Sequence, residues 1–165
     1  MIFFQGRAEF EWRYPHIRLY TTEPKRQAKK GDILVSVRAP VGDINIANHD
    51  CCIGRGLAAL RSKTNVQSYL LYLLMHTRKF LDVYNGEGTV FGSINQKAFN
   101  DLKVIIPPTH IVSEVNEILN SIDSQIDVLY RQSLVLSDIR DILLPKLMSG
   151  EIEVPVAESI IKERI

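Results

Sequence analysis

Several polar and basic side chains lie in turn-rich or glycine-rich stretches, where they can be presented to a ligand. Arginine and lysine can donate to the O6 and N7 atoms of guanine, and asparagine and glutamine can pair with two atoms of adenine. Lysine, serine and threonine can hold phosphates, and glycines let a backbone approach a duplex closely. These residue types indicate DNA reading, and the candidates are Gln5, Arg7, Arg38, Arg55, Thr89, Ser93, Asn95, Gln96 and Lys97.

Each candidate also has an ordinary structural alternative. A loop asparagine or serine often caps a helix, so Ser93 or Asn95 can serve only that purpose. Arg38, which stands two residues before Pro40, can form an ion pair at the edge of the core. The sequence leaves both alternatives open for these residues.

The charge distribution supports an anionic partner for the front of the chain. Residues 1–108 carry 15 Lys and Arg against 9 Asp and Glu, whereas residues 109–165 carry 5 against 10. The net charge of +1 hides this asymmetry. A basic front can meet nucleic acid, although an unevenly charged surface is an equally ordinary explanation.

Catalytic and metal-binding motifs are missing from the sequence. The four histidines are scattered, and no H-E-x-x-H, G-x-S-x-G or phosphate-binding G-x-x-x-x-G-K-[ST] pattern occurs. His49-Asp50-Cys51-Cys52 has metal-binding residue types, but adjacent cysteines rarely suit a tetrahedral site, and a buried strand is the alternative. We therefore expect no catalytic residues, no metal site and no cofactor.

The expected cellular location rests on three features that the sequence of 165 residues does not show: a membrane span, a secretory signal and cysteines placed to form a disulfide. It has no apolar run of 18 or more residues, so no membrane span is expected. No secretory signal precedes the first turn, and Cys51 and Cys52 are adjacent and cannot join distant segments. A cytoplasmic protein is the resulting expectation.

The elements that must carry the candidate residues are predicted as an α+β fold. Residues 1–60 show short apolar runs between turns, including Ile33–Val37, 43–47 and 56–60, which favours strands. A helix capped by Asn65 is expected over about 66–84, then a short helix opened by Ser93 or Asn95, and a strand over Leu102–Ile106.

One long helix is predicted after Pro107-Pro108. No Gly or Pro occurs from Thr109 to Leu144, and such a helix would be about 54 Å long. Pro145 should kink or end it, and Gly150 should close its last turn. Apolar residues seven apart predict a coiled-coil type pairing stripe, made of Val115, Ile122, Leu129, Leu136 and Leu143.

Five motifs in order resemble the specificity subunits of type I restriction–modification systems. Residues 31–42 are similar to the family's GDIL-S-RAPVG signature, and 52–56 to its IGRG segment. Residues 88–94 resemble a G-T-x-F loop, 104–108 an IPIPP strand end, and 140–152 the closing R-D-x-L-L-P-K-L-x-S-G-E-I. Together these motifs cover about residues 3–154.

The resemblance implies an organisation and a function. It implies a mixed β-rich and α target-recognition domain over 1–108 and a long pairing and spacing helix over 109–150, while the charge of the tail over 151–165 indicates partial disorder. A non-catalytic subunit of this kind would read one half of a bipartite site in double-stranded DNA. Separate modification (methyltransferase) and restriction subunits would carry out methylation and cleavage.

Two departures from the family pattern qualify that expectation. The chain has one recognition domain and one long helix instead of two of each, and residues 3–6 resemble a segment that normally follows about 30 earlier residues, so the domain start looks truncated. A homodimer or a second half-subunit, joined through the long helix, would supply what is missing. The rival hypothesis is a protein-interaction module that acts through the helix and reads no DNA; a methyltransferase fragment is less favoured.

Overall fold

The structure is a computed structural model that describes residues 1–85 and 92–164. The chain forms two compact units, one over Met1–Glu117 and a second from Ile118 onward. The predicted domain boundary at 108 coincides with the start of the longest helix. The first turns of that helix belong to the first unit, where Val112 is buried and the Asn116 Oδ1 accepts a hydrogen bond of 3.1 Å from the Tyr69 amide.

The described residues of the first unit form seven strands, all within the stretch 1–60 that the turn pattern predicted as β. They are β1 (Ile2–Phe4), β2 (Leu19–Tyr20), β3 (Gln27–Ala28), β4 (Ile33–Ser36), β5 (Ile44–Ile46), β6 (Cys51–Ile53) and β7 (Leu57–Leu60). One sheet has the order β2-β1-β6-β3, in which only the β1–β6 pair is parallel. The other sheet is antiparallel with the order β5-β4-β7.

Strand β4 is buried on both faces, and its alternation builds two parts of the core. Leu34 faces a cluster with Phe4 of β1 and Ile53 of β6, whereas Ile33 and Val35 pack with Leu71. Successive side chains of a strand point to opposite faces, so one β-branched run can serve two layers. The first layer is the other sheet and the second is the helix that follows β7.

The helices are α1 (Gln67–Thr77), α2 (Gln96–Asn100), α3 (Thr109–Met148) and α4 (Val154–Arg164), with 3₁₀ turns at Arg7–Glu9 and Arg78–Tyr84. The predicted helix over 66–84 is therefore divided into α1 and a 3₁₀ segment. Asn65 does not cap it, because its backbone is left-handed at φ 58°. The Ser62 hydroxyl instead accepts a hydrogen bond of 3.1 Å from the Val66 amide.

The predicted strand over Leu102–Ile106 is wrong. This segment is irregular, and Ile105 is 91% and Ile106 66% exposed. A β-branched run becomes a strand only where a neighbouring strand supplies hydrogen-bond partners, and no such pairing reaches it among residues 1–85 and 92–164.

Of the two outcomes expected for Pro145, a kink or an end of the long helix, the end is not seen. The helix α3 is 40 residues long and contains Pro145. A proline removes one main-chain donor, but the Pro145 carbonyl still accepts from the Ser149 amide at 3.0 Å. Gly150 then ends the helix as predicted, at φ 70°, with its amide donating to Leu147 and the Glu151 amide to Lys146.

The tail, for which its charge predicted partial disorder, contains the helix α4. Ala157 of α4 is buried together with Ile139 and Leu143 of α3, and Leu147 and Ile152 pack at the edge of this cluster. Between its charged residues α4 has a short apolar face, and this face packs against α3. Apolar burial, which the composition of the tail did not suggest, therefore orders the segment.

Candidate nucleic-acid interface

The turn Gly54-Arg55-Gly56 joins β6 to β7 and lies against the residue that follows β1. The Gly54 amide donates to the Phe4 carbonyl at 2.8 Å. A Cβ added to Gly54 would lie 2.5 Å from the Gln5 carbonyl oxygen, and one added to Gly56 would lie 3.1 Å from it. At position 54 only glycine allows this approach, and at position 56 a side chain would fit tightly. Arg55 and Gln5 are therefore neighbours in space although 50 residues separate them in the sequence.

Gly56 of the same turn also contacts the segment that follows β4. The Val37 amide donates to the Gly56 carbonyl at 2.9 Å, and the Ile94 amide donates to the Val37 carbonyl at 3.0 Å. Arg38 and Ser93 form an isolated antiparallel bridge between these segments. Main-chain hydrogen bonds thus align three stretches that are distant in the sequence.

Four of the predicted residues meet along this line, and we call Gln5, Arg38, Arg55 and Ser93 the loop edge. All four side chains are exposed. Within the described part of the chain, the Arg38 and Arg55 guanidiniums have no hydrogen-bond or ion-pair partner, so the core-edge ion pair considered for Arg38 is not seen there. The loop edge offers two arginines, one amide and one hydroxyl to a ligand.

Asn95 and Lys97 follow the loop edge on α2. The Asn95 Oδ1 accepts a hydrogen bond of 2.8 Å from the Ala98 amide, which confirms the helix-cap alternative for this residue. The Nδ2 of the same side chain carries two further donors, which can still form a hydrogen bond with a ligand. Lys97 and the neighbouring Gln96 are exposed. The candidate Thr89 lies outside the described residues.

Arg7 has a different environment from the loop edge. Its guanidinium pairs with the buried Asp43 carboxylate, which also accepts from Arg78. The three residues line a cavity of about 340 Å³, which Trp12 and Met75 border. Both arginines keep 56% of their side-chain surface exposed. Arg7 therefore stabilises a buried charge, and its predicted DNA contact stays a prediction.

Asp32, from the first sequence motif, supports the fold below the candidate site. The Arg61 guanidinium donates to both Asp32 oxygens, at 2.6 and 2.7 Å, and the Lys29 amide donates to one of them at 2.8 Å. The hydrogen bond with Asp32 is also the main cause that raises the pKa of Arg61 above its ordinary value. This contact connects the end of β7 to the start of β4.

Cys51 and Cys52 are buried in β6, in agreement with the strand alternative. Burial, followed by the charges of Asp32, Cys52 and Asp50, raises the pKa of the Cys51 thiol to about 11. Among the described residues no group of three His, Cys, Asp or Glu could hold a metal ion. Nor does that part of the chain contain a helix with the length and hydropathy needed to cross a bilayer.

The predicted pairing stripe of α3 is only partly exposed. Val115, Ile122, Leu129 and Leu136 are 37%, 44%, 63% and 49% exposed, whereas Leu143 is 5% exposed. Leu143 is covered from within the chain, because it packs with Ala157 of α4. The heptad pattern predicted the stripe residues correctly as apolar positions of the helix. It could not show that α4 would cover Leu143, the last of them.

The arrangement matches a known family. The sequence model of the protein family described as type I restriction modification DNA specificity domain matches residues 19–135. The chain is 36% identical over 153 residues to the putative type I restriction enzyme MjaX specificity subunit of Methanocaldococcus jannaschii, covering 92% of this chain and 36% of that protein. It is 28% identical to the MjaIX specificity subunit of the same organism, with 84% and 31% covered.

Solved structures show the same similarity. The HsdS subunit of Thermoanaerobacter tengcongensis is 33% identical with a TM-score of 0.61, covering 92% of this chain and 38% of that one. A chain from a structure of the type I R-M system is 35% identical with a TM-score of 0.62, covering 88% and 37%. The S subunit from M. genitalium, at 18% identity and a TM-score of 0.63, has the same fold.

These findings define a class of non-catalytic DNA specificity proteins. The chain belongs to the type I restriction modification DNA specificity family, which confirms the resemblance seen in the motifs, the α+β fold class and the expectation that the chain is not an enzyme. It spans about a third of the length of the curated relatives that it matches.

Proposed function

We propose that this chain binds double-stranded DNA in a sequence-specific manner through the loop edge. The observation that carries the proposal is that main-chain contacts bring Gln5, Arg38, Arg55 and Ser93 together, with exposed side chains. Arginine is suited to guanine, and glutamine to adenine. Because an irregular loop surface and not a helix carries these groups, base reading would depend on how the turns are held.

The charge of the first unit supports an anionic partner. An exposed cation, Lys97, follows the loop edge on α2. Each phosphate that a lysine or arginine neutralises releases counterions, so the affinity should fall steeply with salt. The excess of basic residues over 1–108 would supply this general attraction, while the loop edge would supply the choice of sequence.

We further propose that α3 pairs with a second long helix, from another copy of the chain or from a half-subunit. Four stripe residues are exposed and apolar, which favours association. The first half of α3 carries Glu114, Glu117, Asp123 and Asp127 and no Lys or Arg, whereas the second half carries Arg131, Arg140 and Lys146 together with Asp138 and Asp141. An antiparallel pair would place the acidic half opposite the basic residues, and a parallel pair would not.

In such an assembly the chain would direct modification (methyltransferase) and restriction subunits to a bipartite DNA site. Two recognition units joined by antiparallel helices would be related by a two-fold axis, so two identical copies would read an interrupted palindrome. Both relatives from Methanocaldococcus jannaschii are named as specificity subunits of type I restriction enzymes. The exposed stripe equally favours the second candidate function, a protein-interaction module that reads no DNA.

A binding selection distinguishes the two functions. The chain, alone and with its co-expressed methyltransferase partner, is bound to random-pool duplex DNA at two salt concentrations, and the bound DNA is sequenced. DNA reading predicts an enriched bipartite sequence and an affinity that falls with salt. A folded protein that enriches no sequence and binds no DNA under either condition would support the interaction module instead.

A further inference from the structure

Arg26 makes contacts that the sequence did not predict, and they fall on both ends of the turn that carries Arg55. Its Nη1 donates to the Gly54 carbonyl at 2.9 Å, and its Nη2 donates to the Leu57 carbonyl at 3.1 Å. Its own carbonyl accepts from the Ile53 amide at 2.8 Å. One residue thus contacts the chain just before and just after Arg55.

The turn needs such support because of its composition. Gly54 and Gly56 flank Arg55, and glycine has more backbone freedom to lose than any other residue. The backbone of Gln5 limits the turn on one side, where it lies within contact distance of both glycines. Arg26 contacts the turn at two other atoms, the carbonyl oxygens of Gly54 and Leu57.

The chemistry of the guanidinium suits this role. It is planar and presents several donors in a fixed fork, so it can hold two carbonyls at a set separation. A lysine would keep the charge but has a single flexible ammonium group, which cannot reproduce two fixed directions. The geometry, beyond the charge, is therefore what Arg26 contributes to the turn.

We propose that Arg26 is a positioning residue that fixes the Arg55 turn and thereby sets how well the chain distinguishes one DNA sequence from another. The inference rests on the proposed DNA-reading function. Arg26 acts through the turn and needs no contact with a base. When the turn is held in one conformation, Arg55 contacts one base-pair position with a defined geometry. When the turn is mobile, Arg55 can contact many sequences with nearly equal affinity.

The test compares Arg26→Ala and Arg26→Lys with Lys25→Ala. Lys25 is the adjacent exposed cation, and it has no hydrogen-bond or ion-pair partner within residues 1–85 and 92–164. Its substitution therefore removes the same charge and leaves the turn intact. Affinities are measured for the sequence that the wild-type chain selects, for the same duplex with one base pair changed, and for random duplex.

Both Arg26 variants should lose about tenfold in the ratio of selected to altered duplex, equivalent to about 1.4 kcal/mol. Arg26→Lys should keep the salt dependence of the wild type, because its charge is retained. Lys25→Ala should keep the ratio. A loss that is equal for all three duplexes, with a weaker salt dependence, would make Arg26 a phosphate contact and overturn the proposal. An unchanged ratio in Arg26→Ala would do the same.

Amide hydrogen exchange of the free protein gives a second readout that needs no DNA. The Leu57 amide donates to the Gly54 carbonyl at 3.2 Å within the turn, so its exchange should quicken in both Arg26 variants and not in Lys25→Ala. Unchanged exchange would mean that Arg26 does not hold the turn. If the wild-type chain selects no sequence, the proposed function fails and the discriminating role fails with it, while the exchange result still decides whether Arg26 holds the turn.

Discussion

The carbonyl oxygen of Gln5 lies 2.5 Å from the point where a Cβ on Gly54 would be. This contact joins the residue after β1 to the turn between β6 and β7. It places Gln5 and Arg55 on one surface, although each belongs to a different stretch of sequence. The loop edge therefore depends on a backbone contact that only a residue without a side chain permits.

Gly54→Ala should separate the two stretches. The added methyl group would meet main-chain atoms of Gln5, which cannot rotate away, so the strand pair β1–β6 must shift. We expect a loss of about 1–3 kcal/mol in the free energy of unfolding, measured by urea titration. Gly6→Ala is the matched control, because a Cβ there has nothing within 4 Å and the φ of −169° is extended. Equal losses in both variants would contradict the role of the contact.

Asp32→Asn should lower stability more than Arg61→Ala. Asp32 is 4% exposed and accepts from Arg61 and from the Lys29 amide, whereas the Arg61 side chain is 54% exposed. The asparagine loses the charge-assisted bonds and turns a donor toward a buried donor, so we expect about 1–3 kcal/mol. Thermal unfolding of the two variants provides the comparison. A smaller effect of Asp32→Asn than of Arg61→Ala would mean that the buried acceptor is unimportant.

Ala157→Asp should detach α4 from α3. The new carboxylate would be buried against Ile139 and Leu143, which is unfavourable without a partner. Uncovering these residues extends the apolar stripe, so sedimentation velocity should show stronger self-association. Val156→Asp introduces the same charge at a neighbouring position that is 49% exposed, and it should behave as the wild type. Identical sedimentation of both variants and the wild type would mean that α4 does not restrict the stripe.

The Cys51 thiol should weaken the fold at high pH. Its pKa is about 11 in the folded chain, above the ordinary value of 9.0, so the unfolded thiol loses its proton first. Stability is then present below about pH 9 and falls as the pH rises toward 11. The free energy of unfolding should fall more steeply across this window in the wild type than in Cys51→Ala, by about 2 kcal/mol. Parallel pH profiles would contradict this linkage.

Much of the fold was predictable because its determinants are local. Turn residues delimit the strands of residues 1–60, and the absence of Gly and Pro after Thr109 predicts the long helix. The errors arose where tertiary partners decide the structure. Leu102–Ile106 has strand composition without a partner strand among the described residues, and the apolar contact of Ala157 with α3 is not visible in the charge of the tail.

The sequence could predict which residue types form the candidate site, but it could not predict which of them lie close together in space. The sequence identified Gln5, Arg38, Arg55 and Ser93 as polar residues in turns, and the structure brings them together through non-local backbone contacts. Arg26 was missed, because no spacing links it to the turn that it holds. A guanidinium near two glycines is a recognisable pattern only after the strands β3 and β6 have been paired.

The most direct test of the account is the affinity of Arg38→Ala and Arg55→Ala for the DNA sequence that the wild-type chain selects. Each variant should lose about 1–3 kcal/mol for that sequence and relax its preference at one base-pair position. Lys63→Ala is the charge-matched control, since Lys63 is exposed and takes no part in the loop edge. Unchanged affinity and preference in both well-folded arginine variants, or a loss no larger than that of Lys63→Ala, would contradict the claim that the loop edge reads DNA.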